Sequence, residues 1–265
     1  MIKPLAFLLA LSAPALAQPL SLDDVGDLPE ADVVWLGEVH DNPAHHANQA
    51  RIIAEINPAA LVFEMLTEDQ AARITPQMRQ SEDRLRDALD WDASGWPDFA
   101  LYYPLFMAAR EAAIFGAELP RQQARAVMGA ALAGAFAGDA ARFGLDQPLP
   151  PEQQQAREAL QARAHCDALP EDMLPMMVDI QRLRDAMLAR AAKAALTATG
   201  GPVAVITGTG HARIDWGAPA LLAKAAPELR QISIGQFEEE IDAPPHDFWL
   251  ITAPHPRPDP CDAFR

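Results

Sequence analysis

The segment VVWLGEVHDNPAHHANQARII, Val33 to Ile53, places Glu38, His40, His45 and His46 directly behind an apolar run. Carboxylates and imidazoles so placed serve one of three ends: metal ligation, acid–base chemistry, or polar closure of a loop. Glu38 and His40 are two residues apart, and in extended chain such neighbours point the same way. They can therefore act on one substrate or one ion. The spacing E-x-H is not the helical H-E-x-x-H of zinc proteases.

Three more apolar runs end in ionisable groups. ALVF is followed by Glu64. AIFGA leads into Glu118, with Pro120 and Arg121 behind it. VAVITGTGHAR delivers His211 and then Arg213. Each group alone reads equally as a cap or a loop residue. Together they are harder to dismiss, because burying charge is costly unless the charge is paired or used. Glu38, His40, Glu64 and His211 form the candidate polar centre. As an enzyme they would be its catalytic groups; as a metal site, Glu38, His40 and His211 would be ligands of a divalent metal such as zinc or iron. His45, at a helix start, is expected to face the same edge and His46 to support the loop. His165, His246 and His255 have no partner pattern and are read as structural or exposed.

These groups need elements to position them. Short apolar runs bounded by turn residues predict strands at 33–36, 60–64, 113–118, 203–207, 231–234 and 248–252. Helical periodicity lies between them, at 42–56, 102–112, 122–137, 152–164, 171–198 and 216–225. The first of these helices has Asn42 as its cap and Pro43 in its first turn. Strand–helix alternation with continuously apolar strands implies an α/β fold, a mainly parallel sheet flanked by helices. Such sheets bind ligands at the carboxyl ends of their strands. The helical stretches near 67–112 and 122–198 exceed what a crossover requires and predict a helical cap or subdomain. ITGTGHA is either a tight turn or an anion-binding loop of backbone N–H groups. It lacks the Walker lysine and lies far from the first strand, which argues against nucleotide binding. No G-x-S-x-G elbow occurs, which argues against a serine hydrolase.

Residues 1–17 read as a signal peptide: Lys3, an apolar run from Leu5 to Leu11, and the cleavage signal Ala15-Leu16-Ala17. That predicts export to the periplasm and a mature domain at 18–265. The apolar run is shorter than the roughly 20 residues of a membrane span, so no membrane insertion is expected. Cys166 and Cys261 are then expected to pair, as lone cysteine pairs in oxidising compartments do. The alternative is two separate buried thiols. The formal charge is −16, and loss of Lys3 makes it −17, with 20 basic against 37 acidic residues. So acidic a chain repels nucleic acid and anionic lipid.

LGEVHDNPAHH, FEML, DWDASGWPDFALYYPLF, the His165–Cys166 pair, MVDIQRLRDAMLA and VITGTGHAR resemble, in order from about residue 33 to 235, the ChaN family of haem-binding uptake proteins within the Tiki, TraB and erythromycin-esterase superfamily. The resemblance implies an α/β fold with a helical subdomain and a haem-binding protein of iron acquisition. Its superfamily relatives imply the alternative, a metal-dependent hydrolase or protease built on Glu38, His40, Glu64 and His211. Haem is the expected partner, and a homodimer is admitted. Many such proteins are lipoproteins; no cysteine follows the small-residue run here, so a lipid anchor is not expected. Haem asks for an axial ligand and for cations at its propionates. Tyr102 and Tyr103 are the only tyrosines, and Tyr103 is the expected ligand, unless that aromatic face packs into the core. Arg184 and Asp185, on the helix carrying Gln181, and Arg213 are expected to hold propionates or orient the site, with an internal Arg184–Asp185 salt bridge as the alternative.

Overall fold

A computed structural model describes residues 17–120, 124–125 and 131–264. The signal peptide expected at 1–17 lies, but for Ala17, outside the described residues, as do Arg121 and much of the helix expected at 122–137.

Seven strands form one sheet: β1 (Gln18–Pro19), β2 (Val33–Glu38), β3 (Ala60–Phe63), β4 (Ala113–Gly116), β5 (Val203–Gly208), β6 (Gln231–Phe237) and β7 (Phe248–Ile251). Their order is β1-β7-β6-β2-β5-β3-β4 and every pairing is parallel. All six expected strands are present, with ends shifted by up to three residues. The two-residue β1 carries no apolar pattern of its own; it is a strand because it pairs with β7.

Alternate residues explain why β2 reads as unbroken apolar sequence. Val33 and Trp35 face one core, Val34 and Leu36 the other, and all are buried. Period-two alternation over a sheet covered on both sides requires both faces to be apolar. On one side pack the helices Pro43–Ile56 and Phe99–Ala108, through Ile52, Ile53, Tyr102 and Phe106. On the other lie the 26-residue helix Leu174–Thr199 and the helix Ala218–Ala225. The long helix buries Leu183 together with Ala186, Ala189 and Ala192, and the small alanines let it lie close on the strands. Gly200, at φ 81°, closes it with its N–H on the Leu196 carbonyl.

The helical segments supply the rest of the wall. Between β3 and β4 run the helices Glu68–Arg73 and Glu82–Ala88, before Phe99–Ala108. Before the long helix stands Pro151–Ala164, whose end is tied to the C-terminal segment by the Cys166–Cys261 disulfide. No helix among the described residues is long and apolar enough to cross a membrane.

Candidate functional site

Strand order decides which of the ionisable groups meet. β5 lies between β2 and β3, with Glu38 opposite Gly208 and Phe63 opposite Ile206. Glu38, Glu64 and the turn carrying His211 therefore emerge from three adjacent strands. Glu118 follows β4 at the sheet edge.

Glu38 is the inner anchor, its side chain fully buried. Its Oε1 accepts the Tyr102 hydroxyl at 2.9 Å and the His40 Nδ1–H at 2.8 Å. Burial, together with Glu38, raises the Tyr102 phenol, which stays protonated and donating. His40 has a side chain one-third exposed and lies edge-on to Trp96, with ring centroids 5.0 Å apart. Burial pulls its pKa down, but the Glu38 hydrogen bond and the Glu64 and Glu38 charges outweigh this and raise it to about 9. Gly208 lies close beneath it: a Cβ there would meet His40 Nε2 at 3.0 Å, and the ring would have to give by a few tenths of an ångström.

Glu64 forms the floor. Its Oε2 accepts the Thr207 hydroxyl at 2.6 Å and the Gly208 N–H at 2.8 Å. Burial would raise its pKa; His211, His40 and these two donors hold it at about 2. His211 completes the centre. Its Nδ1 is 2.6 Å from Asp185 Oδ1 and its Nε2 is 3.7 Å from Glu64 Oε1. Against burial, Glu64 and Asp185 raise the imidazole, while burial raises the Asp185 carboxyl. Two imidazoles are thus each pinned at Nδ1 by a buried carboxylate, on either side of Glu64.

Two chambers open from this centre. One, of about 470 Å³, is lined by His40, Glu64, Trp96, Leu119, Arg184 and His211. The other, of about 410 Å³, has Leu160, Val178 and Trp216 as apolar walls. His40, Gln181 and His211 border both. Each volume lies within the roughly 300–1,000 Å³ of small-molecule sites.

The four residues Glu38, His40, Glu64 and His211 are brought together. Within that group Glu38 Oε1 takes the His40 Nδ1–H and the Tyr102 hydroxyl, while its Oε2 is buried without a hydrogen-bond partner. Among the described residues, no three His, Cys, Asp or Glu side chains are placed to hold a metal ion. Tyr103 is directed away from both chambers, donating its hydroxyl to the Arg79 carbonyl at 3.0 Å. Tyr102 is buried against Glu38. Arg184 lines the first chamber, whereas Arg213 is held by Asp215 at 2.7 Å and stacks 3.8 Å from the Trp216 ring centroid.

The two neighbouring histidines exchange their expected parts. His45 is fully buried; its Nδ1 accepts the Val39 N–H at 2.8 Å and its Nε2 is 2.9 Å from the Thr252 hydroxyl. It closes the loop and faces no chamber. His46 lies against the Tyr102 ring, donates from Nε2 to the His40 carbonyl at 2.8 Å, and holds Nδ1 3.6 Å from Glu38 Oε2. Asp185, expected with Arg184 to hold propionates or orient the site, lies against His211 Nδ1. Its one signal is its place in MVDIQRLRDAMLA, on the long helix. His246 packs over Gly235, His165 Nδ1 donates to the Gln161 carbonyl, and the His255 N–H donates to Glu238.

The family model described as "Haem-binding uptake, Tiki superfamily, ChaN" matches residues 25–222. No curated protein matches the chain. A structure of cofacial haem binding to ChaN of Campylobacter jejuni is similar in fold, with a TM-score of 0.66 at 21% identity over 86% of this chain and 90% of that one. The type III effector HopBA1 aligns at 0.46 and 13% identity, over 88% of this chain and 92% of that one. Erythromycin esterase EreC (H289N mutant) aligns at 0.40 and 13%, over 78% and 70%.

Proposed function

The chain belongs to the ChaN family of haem-binding uptake proteins in the Tiki superfamily, and from that premise we propose that it binds haem at the carboxyl edge of its sheet, as an exported periplasmic protein of haem and iron uptake. One observation carries the placement: an imidazole held by a buried carboxylate at Nδ1 beside an aromatic-walled chamber. That is the arrangement metal-binding histidines use, since the carboxylate fixes the tautomer and raises ligand basicity. His40 has it, with Glu38 behind the ring and Trp96 beside it. The residues present fit the group: an orientable nitrogen, apolar walls from Trp96, Leu119 and Leu188, and the cation Arg184 on the rim.

When bound, haem would supply an iron open to a protein ligand, and with it a redox couple. The chain's own part is to hold the His40 proton on Nδ1 against Glu38, to present Nε2 once the proton that the raised pKa keeps there has left, and to flank the ring with Trp96. His211, oriented by Asp185, borders the same chamber and keeps Glu64 ionised. Neither tyrosine is offered to the chamber, so the ligand role passes from Tyr103 to His40.

A haemin titration of the mature protein followed at the Soret band tests this. His40→Ala is expected to weaken binding at least tenfold, and Tyr103→Phe to leave it unchanged. The export component has its own test: protein recovered from the periplasm should begin at Gln18, and an intact Met1 there would contradict it.

A further inference from the structure

The second chamber contains polar groups that the centre around Glu64 does not use. Arg157 and Gln161 stand one turn apart on the helix Pro151–Ala164, 7% and 8% exposed, and both line this chamber. Arg157 donates from Nη2 to the Trp216 carbonyl at 3.0 Å and lies over that ring, 5.3 Å from its centroid. Its Nε has no hydrogen-bond partner; neither has Gln161 Oε1, an acceptor whose place the amide NH2, a donor to carboxylates, takes when the amide turns over.

Neighbouring arginines mark the contrast. Arg182 is paired with Asp179 at 3.2 Å and Arg213 with Asp215 at 2.7 Å. Arg157 has no ion pair among the described residues. Burial lowers its guanidinium to about 10, with Arg182 and Arg213 acting in the same direction and Asp185 and Asp215 against it. A buried cation with an unmade donor, facing a chamber, is short of one anion. Arginine's planar fork matches carboxylate geometry.

We propose that the second chamber is a carboxylate-binding subsite, in which Arg157 receives the carboxylate and Gln161 fixes its orientation. Two sources offer that chemistry: a haem propionate, for which the inference rests on the haem reading above, and a free small carboxylate, for which it does not. In the first case Arg157 takes the propionate role expected of Arg213, whose charge Asp215 already meets.

The test compares the mature protein with Arg157→Gln and Gln161→Glu. The second variant sets a carboxylate one turn from Arg157 and guards against a fold defect in the first. Each is titrated with haemin and with haemin dimethyl ester, whose propionates are blocked, and melted with and without excess succinate. A charge-assisted hydrogen bond predicts that wild type prefers haemin over the ester by about tenfold or more, and that both variants lose the preference. Equal binding of the two, with succinate raising the melting temperature of wild type alone, assigns the site to a free carboxylate and also supports it. Absence of both effects overturns the subsite, whatever the haem affinity. If wild type binds neither haemin nor its ester, the haem reading falls and the succinate melts alone decide the subsite.

Discussion

At the residue scale, three histidines within one fold are given two roles by what holds their Nδ1 atoms. Carboxylates hold His40 and His211 at Nδ1, so that this nitrogen donates, and His211 Nε2 faces Glu64 Oε1 at 3.7 Å. A backbone N–H holds His45, which makes Nδ1 an acceptor and the ring neutral. Removing an orienting partner should cost function before it costs the fold: Glu38→Gln, behind His40, is expected to weaken haemin binding about 10- to 100-fold, read from Soret titrations, with the far-UV spectrum intact. Stability should also depend on pH. Burial lowers His45 and His246 from 6.5 to about 4, so the unfolded chain binds more protons between those values. Each contributes about 3 kcal/mol that is present above pH 6.5 and is lost as pH falls toward 4. In urea titrations across this range His45→Gln should show a shallower slope than wild type; an unchanged slope would contradict the assignment. The E-x-H pair was legible because extended chain alternates. The exchange between His45 and His46 was not, because adjacent helical residues differ by about 100° around the axis, and only the packed helix fixes which one faces Glu38. Asp185 was legible as a residue that could orient the site, but its partner was not: a carboxylate after an arginine on an amphipathic helix also reads as a local ion pair, and His211 is 26 residues away.

At the element scale, the sheet was readable as six apolar runs with turn residues between them. Their order was not. Nothing local says that β5 inserts between β2 and β3, yet that insertion brings His211 to Glu64. The ends shifted because hydrogen-bond pairing, not hydrophobicity, terminates a strand: β6 runs on to Phe237 through its pairing with β7. The tyrosine expectation failed to place Tyr103 at the site for a related reason. Adjacent aromatics on the helix Phe99–Ala108 go to different places, Tyr102 to Glu38 and Tyr103 to Arg79. The cysteine pairing did follow from composition and compartment. The bridge closes a segment of 95 residues, and loop-closure entropy puts its contribution at about 4–5 kcal/mol. Reduction should lower the melting temperature by an amount consistent with that figure, and a Cys166→Ser, Cys261→Ser double variant should match reduced wild type. Phe63, fully buried and stacked on Phe106 with ring centroids 4.4 Å apart, tests the sheet–helix interface: Phe63→Ala should cost about 3–5 kcal/mol in denaturant unfolding.

At the scale of the whole molecule, a strongly acidic chain gathers its buried carboxylates at one sheet edge and balances them with two imidazoles. The central claim is that this edge receives haem through His40. The direct measurement is a Soret titration of haemin into wild type, His40→Ala and Tyr103→Phe. Saturable binding by wild type and Tyr103→Phe, weakened at least tenfold in His40→Ala, is the predicted result. Loss of binding in Tyr103→Phe with His40→Ala unaffected, or no Soret shift in wild type, would contradict it.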